Sequence, residues 1–206
     1  MNRTKIIIMI AIVVAAITLI YSFIGQDDTS YITKIQKQRE EKDRFMRTAS
    51  DSPFADNFAA YKGLNWFAPD KKYQVKARLI AVENKKMVEL PTSDGKTKRY
   101  MEYAYAEFKL DGKEQRLLIL EIIDMGPYKG TLFLAFGDET SARETYGAGR
   151  YLDVKKPRGL STVILDFNEA YNPYCAYNDK YSCPLPPTEN LLTIPIYAGE
   201  KNYKSN

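Results

Sequence analysis

Nineteen consecutive residues, Ile6 to Ile24, carry no charge. At about 1.5 Å per residue, a helix of that length reaches roughly 28 Å, close to the ~30 Å hydrocarbon core of a bilayer. Twelve of the nineteen are Ile, Val, Leu or Phe, and at about −0.3 to −0.6 kcal/mol each they favour insertion by roughly 4–7 kcal/mol. The expectation is a transmembrane anchor within residues 1–25, touching the membrane through Ile6 to Ile24. Arg3 and Lys5 precede the run, and Asp27 and Asp28 follow it. By the positive-inside rule the N-terminus is cytoplasmic and the remainder is exported, periplasmic or on the outer face, as a single-pass membrane protein. A cleaved signal peptide shares the charged start and apolar centre, but this run exceeds a usual signal core and "YSFIGQDD" offers no A-x-A site.

Residues 26–50 are densely charged. The spacing predicts a second helix capped by Ser30, with a narrow apolar stripe of Ile32, Ile35, Phe45 and Met46. Glu40 with Arg44 and Asp43 with Arg47 stand at the i,i+4 spacing of weak ion pairs. Such a helix serves either as a solvated spacer lifting the domain off the bilayer or as a surface for a partner. "ASDSPFADN" ends it, since the residue before Pro53 is steered away from helical geometry. A globular domain over residues 51–206 follows.

There the hydrophobic period changes to two. Tyr73, Val75, Ala77 and Leu79 alternate with polar residues, and further strands are expected at 86–91, 99–110, 114–123, 131–136, 150–154, 160–168 and 191–198. Asp111-Gly112 between two of them is a hairpin signal. With turn residues between short strands and no amphipathic helices, the fold class is mainly β: an antiparallel β-sandwich or barrel preceded by one transmembrane helix and one charged helix. Trp66, in "GLNWFAP", is expected as a core anchor.

The chain contains no histidine, which removes Ser-His-Asp and Cys-His catalysis and every His-based zinc site. Two cysteines are too few for a four-thiolate site. Setting aside Arg3 and Lys5, 28 basic residues face 26 acidic ones, so there is no electrostatic footprint for nucleic acid. No pattern implies a cofactor, and no EF-hand-like spacing implies a metal. "ETYGAGRYL" lacks the third glycine of a dinucleotide loop and reads as a tight turn, with Arg150 beside it able to grip a carboxylate or phosphate. Asp166 ends an apolar strand and needs a partner: Arg150, Arg158, the amides of the following loop, or a ligand. Glu169 and Asp138 are further acids. In an exported domain, Cys175 and Cys183 are expected to form a disulfide closing a nine-residue loop, worth roughly 2.5 kcal/mol; a redox pair or free thiols are the alternatives. Tyr171, Tyr174, Tyr177 and Tyr181 either line a pocket or cover the end of the sheet.

"DETSARETYGAGRYLDV", "LDFNEAYNPYCAYNDKYSCPLPPTENLL" and "IYAGEK", with "KDRFMRTASDSPF" and "GLNWFAP" upstream, closely resemble a bacterial family catalogued as a domain of unknown function. The resemblance implies an exported or membrane-attached protein with a mainly β domain, and no activity to transfer. It draws attention to Tyr146, Arg150, Asp166, Asn168, Asn172 and Tyr174 as binding candidates within the shared motifs. Ala142 stands where that pattern has Gly. Two functions are compatible with these residues. The first is a binding or interaction domain for an anionic or sugar-like envelope ligand or a partner protein. The second is a hydrolase or lyase using Asp166 and Glu169 as acid and base or as oxygen ligands to Ca²⁺ or Mg²⁺. In either case the site is expected where Asp166 and Asn168 meet the "TYGAGRY" turn, with the cysteine loop as its rigid wall.

Overall fold

The computed structural model describes residues 3–203 apart from 125, 157, 158 and 160; in the first helix the side chains of residues 3–8, 11 and 15–27 are not described. A single helix, α1 (Arg3–Thr48), replaces the two expected ones, and its backbone runs through Ser30 without a cap. Among the described residues no helix is long and apolar enough to cross a membrane, so a transmembrane helix does not emerge from the structure. Most side chains of Ile6–Ile24 lie outside the described set; those within it, Met9, Ile10, Ile12, Val13 and Val14, are all exposed.

The second half of α1 is neither a free spacer nor a free surface, because it docks on its own domain. The docking stripe is Tyr31, Ile35, Arg39, Lys42 and Met46, steps of three or four residues that share one helix face. The purely apolar stripe expected from the sequence misses its two cations, whose stems pack while their charged heads reach past the helix. Asp43 pairs with Arg47 at 2.7 Å; among the described residues no ion pair joins Glu40 to Arg44.

The domain is one antiparallel sheet rather than a sandwich. Its strands are β1 (Gln74–Ala81), β2 (Met87–Pro91), β3 (Thr97–Leu110), β4 (Lys113–Ile122), β5 (Leu132–Phe136), β6 (Arg150–Val154) and β7 (Thr162–Asp166). They lie in the order β6-β5-β4-β3-β1-β7, with β2 on the far half of β3. The sheet curls into a half-barrel that brings β6 near β7. Asp111 (φ 49°) and Gly112 (φ 78°) make the β3–β4 turn as the Asp-Gly pair predicts. A bulge at Tyr103 shifts the β3–β4 register between Glu102 and Ala104. It leaves Ala106, Phe108 and Leu110 inside the curl while Tyr100 joins a second cluster on the outer face.

Residues 191–198 form no strand, which corrects the expectation. Pro195 removes a ladder donor. The period-two burial is real, since Leu192, Ile194, Ile196 and Ala198 are all buried, but they plug the open side of the curl. Just before them, Asn190 fills a gap between strands. The β4–β5 ladder spans only Leu120↔Phe133 and Glu121↔Leu132. Beyond it the Asn190 amide donates to Leu118 O (2.9 Å) and Ala135 O (2.8 Å) and accepts from Leu118 N–H (2.7 Å), acting as an inserted peptide group.

Two backbone positions shape the turns within and just before the "TYGAGRY" segment. Gly149 has φ +84°, and a Cβ there would lie 2.5 Å from Pro186 and 2.6 Å from Phe136 O. Ala142 has φ 63°, in the left-handed region that glycine adopts without steric cost. An L-residue there costs about 1–2 kcal/mol, partly offset by the extra chain entropy of glycine when unfolded. Ala142→Gly should therefore stabilise the domain by about 0.5–1 kcal/mol, raising Tm by roughly 1–4 °C in thermal unfolding; an unchanged or lowered Tm would show that no strain is stored there.

Candidate functional site

The sequence candidates do not converge on one site. Arg150 is 1% exposed, at the start of β6. Its Nη2 donates to Asp138 Oδ2 at 2.8 Å and to Ile196 O at 3.0 Å; its Nη1 donates to Ala198 O and, at 3.3 Å, to Glu200 O. Those three carbonyls alternate along the terminal segment, so the guanidinium fork takes the place of a neighbouring strand. Burial pushes the Arg150 pKa down and Asp138 opposes that shift. Asp138 Oδ1 is itself held by Thr140 N–H at 2.9 Å and Ile196 N–H at 3.1 Å. The side chain expected to grip a ligand is sealed inside the fold.

Asp166 is sealed as well, and Arg150 is not among its partners. It accepts from Tyr31 OH (2.8 and 2.9 Å), Gln74 Nε2 (2.9 Å), and Asn168 N–H and Nδ2 (both 3.1 Å). Among the options drawn from the sequence only the loop amide is realised; Arg158 lies outside the described residues. Asn168, fully buried, also receives Asp70 N–H at 2.9 Å and donates to Asp70 O at 2.8 Å and Tyr31 OH at 2.9 Å. Burial and the adjacent carboxylate push the Tyr31 phenol pKa up, so it remains a donor. This network docks α1 and leaves Asp166 no free edge for acid–base work. Glu169 takes Lys34 and Gln38, both at 3.2 Å. Among the described residues no three acids or cysteines converge as a metal site.

Asn172 and Glu200, both fully buried, form a third network. Glu200 accepts from Asn172 Nδ2 (3.0 Å), Asn172 N–H (3.2 Å) and the Tyr177 hydroxyl, and pairs with Lys42 at 3.4 Å. Asn172 Oδ1 is buried without a partner among the described residues.

An open space does exist, and it lies beside these networks. A half-open cavity of about 870 Å³ is lined by α1, β5, β6 and the loop that carries the cysteines. Asn168 and Tyr174 line it, and Cys183 and Pro184 form part of its wall. Arg150, Asp166, Asn172 and Tyr146 do not line it. The sequence reading missed Arg39, Lys42 and Asp153 and gave Trp66 another role; Tyr171 was among the tyrosines offered as lining a pocket or covering the sheet end. Trp66 is half-buried rather than a core anchor. The Arg39 guanidinium lies 4.8 Å above its ring, while Lys42 Nζ lies 5.7 Å from that ring and 4.2 Å from that of Tyr171. The one available signal was the run of cations at helical spacing upstream of a lone tryptophan.

The loop is pinned from within. Tyr151 and Tyr171 exchange backbone hydrogen bonds (2.8 and 3.0 Å), and Tyr151 OH donates to Pro184 O at 2.6 Å. The expected disulfide is not formed: Cys175 and Cys183 are free, buried thiols, with Cys175 N–H donating to Cys183 Sγ at 3.2 Å. Tyr146 OH donates to Cys175 Sγ at 3.7 Å. The hydrogen bond from Cys183 pulls the Cys175 pKa down to about 6, outweighing its burial, while Cys183 is pushed up by the same bond.

A curled antiparallel β domain with a helix-lined cavity is thus the class that the fold and site define. The chain belongs to the family described as protein of unknown function DUF1684, which matches residues 59–201. Its structure is similar to the solution NMR structure of an uncharacterised protein from Haloarcula marismortui, with 39% identity and a TM-score of 0.64, over 85% of this chain and 96% of that one. That relative is archaeal, so the likeness extends beyond the bacterial proteins expected from the motifs. No curated protein matches the chain.

Two measurements test these assignments. Arg150→Met leaves three carbonyls and Asp138 without their shared donor and should cost about 3–5 kcal/mol in urea unfolding, with Arg150→Lys failing to restore it because an ammonium lacks the fork; a loss below 1 kcal/mol would sink the clamp. In reduced protein, thiolate absorbance near 240 nm should grow as pH rises through about 6, for one thiol equivalent, and Cys183→Ala should move that midpoint upward. A single transition near the ordinary thiol value for both cysteines would contradict the shared-proton pair.

Proposed function

We propose that the protein is a membrane-anchored, extracytoplasmic domain that binds a small molecule in the cavity between α1 and the sheet. The observation that carries this reading is the cavity itself. About 870 Å³ lies within the ~300–1,000 Å³ typical of ligand sites, and the lining mixes aromatic faces with a few polar groups in the manner of such sites. Trp66, Tyr151, Tyr171 and Tyr174 supply the faces, and Arg39, Lys42 and Lys98 supply positive charge. The anchor and the orientation rest on the uncharged run Ile6–Ile24 and its flanking charges. Because α1 is continuous, the helix whose first half would enter the bilayer forms a wall of the cavity with its second half.

The full chain should sediment with membranes and come off only in detergent. After extraction, one class of small anionic or sugar-like compounds should raise its Tm in a thermal-shift screen, and Tyr174→Ala should weaken that response several-fold while the exposed Phe58→Ala leaves it unchanged. Release by high salt alone would end the anchor. A screen without any shift, or one indifferent to Tyr174→Ala, would end the cavity as the binding site.

A further inference from the structure

We propose that the occupant of the cavity is a single-chain anionic amphiphile, with its carboxylate or phosphate head on Arg39 and Lys42 and its hydrocarbon chain against Ile122, Leu132 and Phe133. This deepens the cavity-binding reading and rests on it.

The charge balance of the lining points to an anion. Two carboxylates face the space, and both are already answered: Asp153 accepts from Tyr171 OH at 2.8 Å, and Glu169 takes Lys34 and Gln38. The cations are less well answered. Arg39 forms no ion pair among the described residues; it donates only to the carbonyls of Phe67 (2.8 Å) and Asn168 (3.3 Å), and its Nε is buried without a partner. Among the described residues Lys98 donates only to Ser182 O, at 3.0 Å. Lys42 meets Glu200 at 3.4 Å, but that carboxylate keeps Tyr177 and Asn172 as donors if the ammonium turns toward a ligand. Burial pushes the basicity of both Arg39 and Lys42 down, a cost that a bound anion relieves.

Size and lining then point to an amphiphile. A lone inorganic anion would leave most of about 870 Å³ facing apolar side chains. Arg39 and Lys42 lie on the α1 wall beside Ile35, Phe45 and Met46, whereas Ile122, Leu132 and Phe133 lie on β4 and β5, so the cationic pair and this apolar patch are on different elements of one cavity. Ile35, the first cavity-lining residue of α1, is eleven residues beyond Ile24, or about 16 Å along the helix. A chain leaving the bilayer surface has only that distance to travel.

Trp66 is the single tryptophan and lies beneath both cations, so its emission reads occupancy directly. The test is a titration of the full chain in zwitterionic nanodiscs with decanoate, decyl phosphate, decanol and acetate. Decanoate and decyl phosphate should change Trp66 emission saturably, decanol and acetate should bind at least about tenfold more weakly, and Lys42→Met should lose about tenfold in affinity for the anions. Arg39→Lys, which keeps the charge and removes the fork, serves as the second variant if Lys42→Met does not fold by circular dichroism. Decanol binding as tightly as decanoate would overturn the anionic class while leaving the cavity reading standing. No response to any of the four, with other compounds still shifting Tm, would overturn the amphiphile; silence in both assays would remove the cavity reading as well.

Discussion

The domain depends on one buried guanidinium. A half-barrel of short strands has an open side, and the segment that closes it carries Pro195 and cannot pair as a strand. Arg150 solves this by aiming its planar fork at the carbonyls of residues 196, 198 and 200, which an extended chain presents on one edge at every second residue. Asp138 neutralises the charge at 2.8 Å. A lysine has the charge without the geometry, and an apolar residue has neither. Because the terminal segment is held this way, Leu192, Ile194, Ile196 and Ala198 complete the interior, and Glu200 is fixed where Asn172, Tyr177 and Lys42 can meet on it.

The same economy runs through the other polar residues of the shared motifs. Asp166, Asn168, Asn172 and Glu200 are buried, and their partners come from elements far away in the chain, including Tyr31 on α1. A buried polar group left unanswered costs about 1–3 kcal/mol, so removing a partner from any of these networks is damaging. Substituting these residues reports first on folding. Lining residues outside the networks, such as Tyr174 and Tyr181, are the better probes of binding.

Much of the fold was legible because β-strands with one buried face announce themselves locally. Tyr73 to Leu79 alternate, Asp111-Gly112 turns, and strands β1 to β7 lie within a few residues of their expected positions. The misreading at 191–198 has the same origin: alternation records burial on one side, and a plug buries one side as well as a strand does. The cavity was legible only in part. The cysteine loop, Asn168 and Tyr174 reach it from motifs that stand out in composition. Arg39 and Lys42 looked like two more charges on a solvated helix, and nothing within a few residues of either reveals that Trp66 and Tyr171 wait across the fold. Ala142 shows the opposite case, where one backbone angle could be anticipated from the residue that the pattern lacks.

The Arg150 clamp also sets an order of events during synthesis. Its carbonyl partners lie 46 to 50 residues further along the chain, so β1 to β6 can leave the ribosome while the guanidinium has none of them. Until residue 200 arrives, the curl cannot close and its apolar interior stays open to water or to a chaperone. The domain therefore becomes a domain only after translation of its last segment, and the docking of that segment is the step at which a nascent chain turns from a client into a folded product.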